Sequence, residues 1–295
     1  MNDAAGVRTG LIQGVLAYLI WGLLPLYLHV LRAVPATQVL GHRILWSLLL
    51  LAIVVLALKR VGAIRAAVRG RVLPMLVASA LLISVNWLVY IWAVAHAHVL
   101  EASLGYFITP LVNVALGMLV LRERIRPVQG IAVGLAAAGV LAMAAGGGAL
   151  WISLTLALSF GTYGLVRKIV AVDALGGLTI ETLILAPFAA AVLAWTWVDH
   201  SAAWGGSGRM DALLAFTGVV TAAPLLLFAS AARRLRYATM GLLQYLAPSL
   251  VFVQAVLLFG EPLRPVHLVT FGLIWAGCAL YAWDSIRAAR SDQLE

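Results

Sequence analysis

The sequence predicts an all-α membrane protein in which ten transmembrane helices form two inverted five-helix repeats. Of its 295 residues, 64% are apolar and only 11% are charged, whereas soluble domains hold roughly half apolar and a quarter charged residues. Ten apolar runs are each long enough to cross a bilayer. The second half of the chain also repeats the first at an offset of 138 residues.

The predicted spans are apolar runs bounded by charged residues, Pro or Gly. They cover residues 10–30, 37–58, 72–94, 99–121, 127–145, 149–168, 178–198, 211–231, 237–259 and 265–284. No cleavage site of small residues follows the first run, so we expect a retained helix and no signal peptide. The longest loops, 59–71 and 199–210, are too short for separate domains. We therefore expect one transmembrane bundle.

The basic residues predict the orientation of this bundle, because Lys and Arg accumulate in cytoplasmic loops. If the N-terminus is cytoplasmic, sixteen of the 20 Lys and Arg residues fall on that side of the membrane. The other side holds Arg32, Arg209 and Arg264, and Arg43 lies inside a span. We expect a multi-pass protein of the bacterial inner membrane with both termini in the cytoplasm.

The internal repeat is clearest in the last two spans of each half. The offset of 138 residues brings Pro110 onto Pro248, and it brings Glu123-x-x-Arg126-Pro127 onto the same pattern at 261–265. The 30 columns from 110 to 139 contain ten identities, where this composition gives roughly three by chance. Further forward the repeat is weaker, and there an offset of 139 pairs His42 with Glu181. We place the two repeats at 1–148 and 149–295.

The odd number of spans in each repeat has a structural consequence. A second copy that follows five crossings runs through the membrane upside down. Inverted repeats are typical of carriers that alternate between two states around a site near the bilayer midplane. Glu123 and Glu261 would then be counterparts on opposite faces of the membrane.

Several motifs carry a family resemblance over essentially the whole chain. The Glu-x-x-Arg-Pro loop between the fourth and fifth spans of each half resembles the drug/metabolite transporter superfamily, and specifically its EamA-type members. AYLIWGLLPLY at 17–27, GHRILWS at 41–47, NWLVYIWAV at 86–94 and EASLGYFITPLVN at 101–113 resemble the RarD subgroup of permeases. YGLVRK at 163–168 and QYLAPS at 244–249 fit the same pattern. The resemblance implies an inner-membrane exporter of small metabolites, with amino acids a recurrent substrate class.

Other function classes lack their expected signals. The single Cys278 excludes an internal disulfide framework and a cysteine-based zinc site. No motif for a metal or for nucleophilic catalysis stands at a plausible depth, so we expect neither an enzyme nor a cofactor. The basic residues that give the net charge of +9 lie in short loops, where they set the topology. We therefore expect no nucleic-acid partner. The partners are the lipid bilayer and a small-molecule substrate, and the protein is a monomer or a homodimer.

Charged residues inside spans are costly and therefore informative. Arg43 lies about 9 Å into the second span at 1.5 Å per residue. It is either a carboxylate-binding or gating cation, or a structural arginine that pairs with backbone carbonyls or reaches the membrane surface. The neighbouring His42 cannot share its helical face, and it either shuttles a proton or packs through a hydrogen bond. No acid is expected at mid-depth, because Glu101, Glu181 and Asp284 are all placed within about a turn of a span end. This disfavours proton coupling through a carboxylate.

The remaining candidates for the substrate site are amides, aromatic residues and prolines. Each amide or aromatic side chain either lines the central cavity or packs between helices, and the two paired prolines either form hinges or are tolerated kinks. The amides are Asn86, Asn113 and Gln244; the aromatic residues are Tyr18, Trp21, Trp87, Tyr90, Tyr106, Tyr163, Tyr245 and Trp275; the prolines are Pro110 and Pro248.

These observations favour a secondary transporter of amino acids or similar small metabolites, acting as an exporter or a facilitator by alternating access. A multidrug or antibiotic efflux permease is the alternative. A membrane-embedded enzyme and a passive channel fit less well, since the first lacks its motifs and the second needs no inverted halves.

Overall fold

A computed structural model describes residues 4–122, 127–145, 149–232, 234–235 and 243–291. In these residues the chain is helical and contains no β-strand. The first half forms α1 (Ala4–Val30), α2 (Ala36–Ala57), α3 (Val61–Ala67), α4 (Val72–Ala95), α5 (Val99–Leu121) and α6 (Pro127–Ala145). The second half forms α7 (Leu150–Ile169), α8 (Ala174–Val198), α9 (Gly208–Ala232), α10 (Leu246–Val253) with a π-helical turn over Gln254–Leu258, and α11 (Pro265–Ser291).

Nine helices in the described residues are long and apolar enough to cross a membrane, and each coincides with a predicted span. Their outer surfaces expose large apolar side chains such as Leu119, Leu141 and Phe188. Such surfaces are stable against lipid and unstable against water. The all-α membrane fold is therefore confirmed, with the short α3 as an addition inside the predicted loop 59–71.

The ninth predicted span, 237–259, differs from an unbroken helix. Residues 236–242 lie outside the described residues, Gln244 and Tyr245 form a turn, and α10 begins only at Leu246. Proline has no amide hydrogen, so Pro248 cannot donate to the carbonyl of Gln244 and does not extend the helix backward. The described part of this span is therefore interrupted just before α10, and its beginning lies outside the described residues.

The seventh predicted span begins four residues too late. The structure starts α8 at Ala174, because Asp173 caps it by accepting a hydrogen bond from the amide of Gly176 at 3.0 Å. Glu181 is therefore seven residues inside the helix, or about 10 Å deep, and its side chain is fully buried. The expectation that this acid lies near a span end is wrong.

The helix contacts follow the symmetry of the repeat. Helix α1 packs on α9, and their counterparts in the other half, α7 and α4, pack on each other. Likewise α1 packs on α10, and their counterparts, α7 and α5, pack on each other. The pairs α2 with α8 and α6 with α11 map onto themselves. Helices α2 and α8 begin 138 residues apart, as do α6 and α11. The offset of 138 thus holds in the front of each half, so Arg43, and not His42, is the counterpart of Glu181.

Small residues bring the last helices of the two halves together. A Cβ on Gly277 would lie 2.8 Å from the Ala132 carbonyl oxygen, and a Cβ on Gly139 would lie 3.1 Å from that of Thr270. The Thr270 hydroxyl donates to the Gly139 carbonyl at 3.2 Å. Close backbone approach of this kind is how helices associate within lipid. The glycines of α6 and α11 therefore join the two halves.

Two faces of the bundle can be distinguished by their loops. The terminal face holds the start of α1, the end of α11 and the loops 58–71 and 170–173, where Arg60 pairs with Asp173 at 2.9 Å. The opposite face holds the loops 31–35, 96–98, 199–207 and 259–264. There the Gln38 side chain bonds the loop between α8 and α9 through the Ser201 carbonyl and the Ala203 amide, both at 2.9 Å. Which face meets the cytoplasm stays a prediction, as do the repeat boundaries at 148 and 149.

Candidate functional site

Arg43 is a buried cation without a hydrogen bond at two of its nitrogens. Its side chain projects from α2 into the bundle and is 5% exposed. The Nε and Nη1 atoms have no hydrogen-bond partner, and Arg43 takes part in none of the ion pairs found in the described residues. The guanidinium carbon lies 4.5 Å from the ring centroid of Trp87 on α4. Cation–π attraction offsets only part of the desolvation cost of such a group.

Three phenol groups interact electrostatically with this guanidinium. Tyr27 of α1, Tyr90 of α4 and Tyr106 of α5 lie within its electrostatic range. The Tyr90 and Tyr106 rings meet edge to face with centroids 5.5 Å apart, and the Tyr27 hydroxyl donates to the Leu213 carbonyl of α9. The Arg43 group, defined as Arg43, Trp87 and these three tyrosines, therefore draws side chains from α1, α2, α4 and α5.

Asn86 ties helices together beside the Arg43 group. Its Nδ2 donates to the Leu156 carbonyl and the Ser159 hydroxyl of α7, both at 3.1 Å, and its Oδ1 accepts from the Tyr106 hydroxyl at 3.0 Å. The amide thus has partners on both of its polar atoms. Of the two roles that the sequence left open for Asn86, lining the cavity and packing between helices, these contacts support packing.

A second charged site lies toward the terminal face. The Glu181 carboxylate accepts from the Ser79 hydroxyl of α4 at 2.6 Å and from the Tyr163 hydroxyl of α7 at 3.2 Å. The Arg167 Nη1 atom lies 3.8 Å from Glu181 Oε1, which is an ion pair without a hydrogen bond. Arg167 reaches inward because Gly177 has no side chain: a Cβ there would overlap the guanidinium. We call Glu181, Ser79, Tyr163 and Arg167 the Glu181 group.

An aromatic wall joins the two groups. The Tyr106 ring contacts Phe160 with centroids 5.9 Å apart, and Phe160 contacts Tyr163 at 6.0 Å. On α4, Ser79 of one group and Trp87 of the other are eight residues apart, which is a rise of about 12 Å. The two buried charges therefore lie on opposite sides of the middle of the bundle, linked by contiguous side chains.

Several predicted site residues lie elsewhere. His42 faces away from Arg43, stacks on Trp204 with centroids 5.3 Å apart, and lines a surface groove with Trp46 and Trp197. Tyr18 and Trp21 pack with Phe228 of α9. The structure therefore separates these three residues from the Arg43 group.

The remaining candidates are also outside the two groups. Tyr245 stacks on Phe107, and Trp275, which is 41% exposed, packs against the same ring. Asn113 is exposed beside Gly161 of α7, and Gln244 lies in the turn before α10. None of the contacts in the described residues joins these side chains to Arg43.

The paired prolines occupy unlike positions in their helices. Pro110 lies inside α5, while Pro248 is in the first turn of α10. The Ser103 hydroxyl of α5 donates to the Pro248 carbonyl at 2.8 Å, which joins the two halves at this point. Their role as hinges stays a prediction.

A carboxylate from the second half caps a helix of the first half. Glu261, in the loop before α11, accepts from the amides of Val99 and Leu100 through its two oxygens, each at 2.7 Å. It satisfies two free amides at the start of α5, where the helix dipole also favours a negative charge. Burial raises the pKa of Glu261 above its ordinary value of 4.5, against the lowering effect of these two bonds. Its predicted counterpart, Glu123, lies outside the described residues.

Sequence reasoning missed four of these residues for identifiable reasons. Tyr27 lies near a span end, and Ser79 is a common helix residue. Arg167 counted only as a loop charge. The repeat could have indicated Glu181, because the offset of 138 aligns it with Arg43, the one cation predicted inside a span.

The fold and the two charged groups define a class of protein. A helical bundle of two related halves that crosses the membrane many times and buries single charges in its interior is a membrane transporter. The chain matches the EamA-like transporter family twice, over residues 8–145 and 146–283, and the two matches begin 138 residues apart. It belongs to this family, and the duplication is confirmed.

Close relatives cover nearly the whole chain. An uncharacterized transporter of Pseudomonas aeruginosa is 46% identical over 97% of both chains. Protein RarD of Escherichia coli is 43% identical over 98% of both chains. A protein of P. aeruginosa named chloramphenicol-sensitive protein RarD is 36% identical over 95% of this chain and 96% of its own. The resemblance to RarD permeases is therefore confirmed.

A solved structure shares the fold at low sequence identity. A crystal structure superposes with a TM-score of 0.62 and 19% identity, over 95% of this chain and 99% of that one. At this identity the likeness concerns the fold alone.

Proposed function

We propose that this transporter carries small carboxylate-bearing metabolites, amino acids first among them, across the bacterial inner membrane by alternating access. Arg43 binds the carboxylate of the solute. The observation that carries the proposal is the buried guanidinium of Arg43, which has no hydrogen bond at Nε and Nη1. Both termini face the cytoplasm, as the distribution of basic residues predicts.

A carboxylate is the ligand that suits this guanidinium. Arginine presents a planar fork of N–H donors that matches the two oxygens of a carboxylate. The structural alternative requires backbone carbonyls as partners or an exposed head group, and Arg43 has neither at Nε and Nη1. A bound solute would supply both the missing hydrogen bonds and the missing negative charge.

The aromatic neighbours of Arg43 suit the rest of an amino acid. The rings of Tyr90, Tyr106 and Phe160 form a continuous surface beside the guanidinium. Such rings attract an ammonium group through their π faces and also pack against an apolar side chain. This supports amino acids over carboxylates without an amine.

The inverted halves support alternating access. The Arg43 group and the Glu181 group lie at equivalent positions in α2 and α8, one toward each face. Rocking of one half against the other would expose a central site to each face in turn.

Antibiotic efflux is a second candidate, favoured by the relative named chloramphenicol-sensitive protein RarD. Chloramphenicol has no carboxylate, so Arg43 would have no ion-pair partner in it. Transport that depends on Arg43 therefore separates the two functions.

Flux measurements in liposomes test the proposal. The purified full-length protein is reconstituted and supplied in turn with radiolabelled amino acids and with radiolabelled chloramphenicol. We expect flux of at least one amino acid, with affinity reduced roughly 10- to 150-fold by Arg43→Gln, because a hydrogen bond to a charged group contributes about 1.5–3 kcal/mol. Arg32→Gln, an exposed arginine on the opposite face, is the matched control and should leave affinity unchanged.

Two results would overturn the proposal. One is flux of chloramphenicol with no flux of any amino acid. The other is an amino-acid affinity that Arg43→Gln leaves as it was.

A further inference from the structure

The buried acid Glu181 is the negative counterpart of Arg43 in the other half of the protein. Each residue is the seventh after the first residue of its helix, Ala36 for α2 and Ala174 for α8. Since the halves are inverted, Arg43 lies about 10 Å from the opposite face and Glu181 about 10 Å from the terminal face. The same position in the two repeats therefore holds opposite charges.

The surroundings of Glu181 can satisfy the carboxyl group both with and without a proton. The Ser79 hydroxyl has two acceptors in reach, the Glu181 Oε1 atom at 2.6 Å and the Leu76 carbonyl at 3.0 Å. A hydroxyl carries one hydrogen and also accepts. It can donate to the charged carboxylate; alternatively, it can donate to Leu76 while accepting from a protonated Glu181.

The cation beside Glu181 forms only a loose ion pair with it. Arg167 Nη1 lies 3.8 Å away without a hydrogen bond to it, and Arg167 Nη2 donates to the Asp173 carbonyl at 3.0 Å. A bidentate arginine pair would fix the charge of a carboxylate; this looser pair leaves the carboxylate with two neutral hydroxyl donors.

The other helices packed on this part of α8 bring apolar groups. Leu51 of α2, Ile83 of α4 and Ala222 of α9 belong to the apolar cluster around Leu178 and Leu185. Among the described residues, the charged or titratable groups that face Glu181 are thus Arg167 and Tyr163 of α7, and the Ser79 hydroxyl of α4 also faces it. The Arg60–Asp173 pair lies at the start of α8, on the terminal face.

We propose that Glu181 is a proton-binding site through which this transporter couples solute movement to a proton. A proton from hydronium adds to a carboxylate oxygen of Glu181, forming an O–H bond and leaving water, while Ser79 turns its own hydrogen to Leu76. In the alternate state the O–H bond breaks and the proton returns to water. Because α4 carries Ser79 and also Trp87 of the Arg43 group, a shift of α4 on proton binding reaches the solute site.

This inference deepens the proposed function, yet it can be tested without a solute. Infrared difference spectra of the purified protein in liposomes, between neutral and mildly acidic pH, report the C=O band of protonated carboxyl groups. We expect a component of this band in the wild type that Glu181→Gln removes and that Asp173→Asn, at an exposed and ion-paired acid, retains. Failure of amino-acid flux would leave this result standing, so the two proposals can fail separately.

A second variant serves if Glu181→Gln does not fold. Ser79→Ala removes the hydroxyl that donates to the charged form, and we expect the midpoint of the band to move to higher pH. The proposal is overturned if the difference band is the same in Glu181→Gln as in the wild type. It is equally overturned if Ser79→Ala leaves the midpoint where it was.

Once a transported amino acid has been identified, the coupling between its movement and that of protons can be measured. A pH-sensitive dye trapped in the liposomes should report proton movement when the amino acid is added to the wild type. In Glu181→Gln we expect solute exchange without proton movement. Proton movement equal to that of the wild type would contradict the assignment.

Discussion

Replacing Arg43 by methionine should make the protein more stable and at the same time lower its affinity for the solute. Methionine has nearly the length of arginine and no charge, so it fills the same space between α2 and α4. Most substitutions of a buried residue destabilise a protein. Here the opposite is expected, because the residue is a buried charge with two unbonded nitrogens.

The magnitude follows from two opposing terms. A buried ion without a full set of partners costs several kcal/mol, whereas its lost contact with Trp87, at 4.5 Å from the ring centroid, contributes about 2 kcal/mol when desolvated. The net gain for Arg43→Met is therefore about 1–3 kcal/mol. For a chain of this size each kcal/mol raises the unfolding temperature by about 2 °C, which gives roughly 2–6 °C.

Thermal unfolding in detergent, followed by tryptophan fluorescence, measures this change. Arg32→Met is the matched control, since Arg32 is exposed and surface substitutions usually change stability by less than about 0.5 kcal/mol. Adding a transported amino acid at about 100 times its dissociation constant should stabilise the wild type by roughly 2.7 kcal/mol. If the affinity of Arg43→Met falls roughly 10- to 150-fold, the same concentration should stabilise this variant by only about 0.3–1.4 kcal/mol.

A lower unfolding temperature for Arg43→Met would refute this reasoning. Arg43 would then be a structural arginine whose charge is satisfied in the folded protein. The assignment of Arg43 to a solute carboxylate would lose its basis, whatever the flux measurements show.

Three further predictions concern the joints of the bundle. Because burial raises the pKa of Glu261, its carboxyl group binds a proton more tightly in the closed capping contact than it would with the loop open to water. Acidification toward the ordinary value of 4.5 should therefore favour the closed contact, and Glu261→Gln should abolish this pH dependence in spin-label distances between the loop 259–264 and the start of α5. Gly277→Ala should destabilise the bundle by about 1–3 kcal/mol through overpacking, while Gly272→Ala on the same helix, with open space at its Cβ, should not; their unfolding temperatures decide this. Asn86→Leu should cost about 1–3 kcal/mol by leaving buried partners unbonded, whereas the exposed Asn113→Leu should be near neutral, and equal losses in the two amide variants would contradict the role of Asn86 as a helix tie.

The repeat and the spans could be predicted because they depend on properties that every residue of a segment shares. Length and hydropathy locate a membrane helix to within a few residues, and the offset of 138 is visible in the identities between 110 and 139. The inward position of Arg43 followed from the cost of a charge in lipid. These expectations agree with the helices, the burial of Arg43 and the duplicated family match.

The grouping of the site could not be predicted, because it depends on where a helix begins and how it is rotated. Gly176 and Gly177 resemble helix breakers, yet the Asp173 cap starts α8 before them and carries Glu181 into the interior. Hydropathy does not reveal that Tyr163 points at Glu181 while His42 points at Trp204. Such directions are decided by contacts between helices distant in sequence.

By itself, then, the sequence determined a duplicated membrane bundle with one charge inside the second span. The tertiary structure decided that this charge has a negative counterpart in the other half, and that an aromatic wall connects the two. The physical reason is that the bilayer acts on each segment separately, through its length and polarity. Partners for buried polar groups arise only when helices that are separate in the sequence pack together.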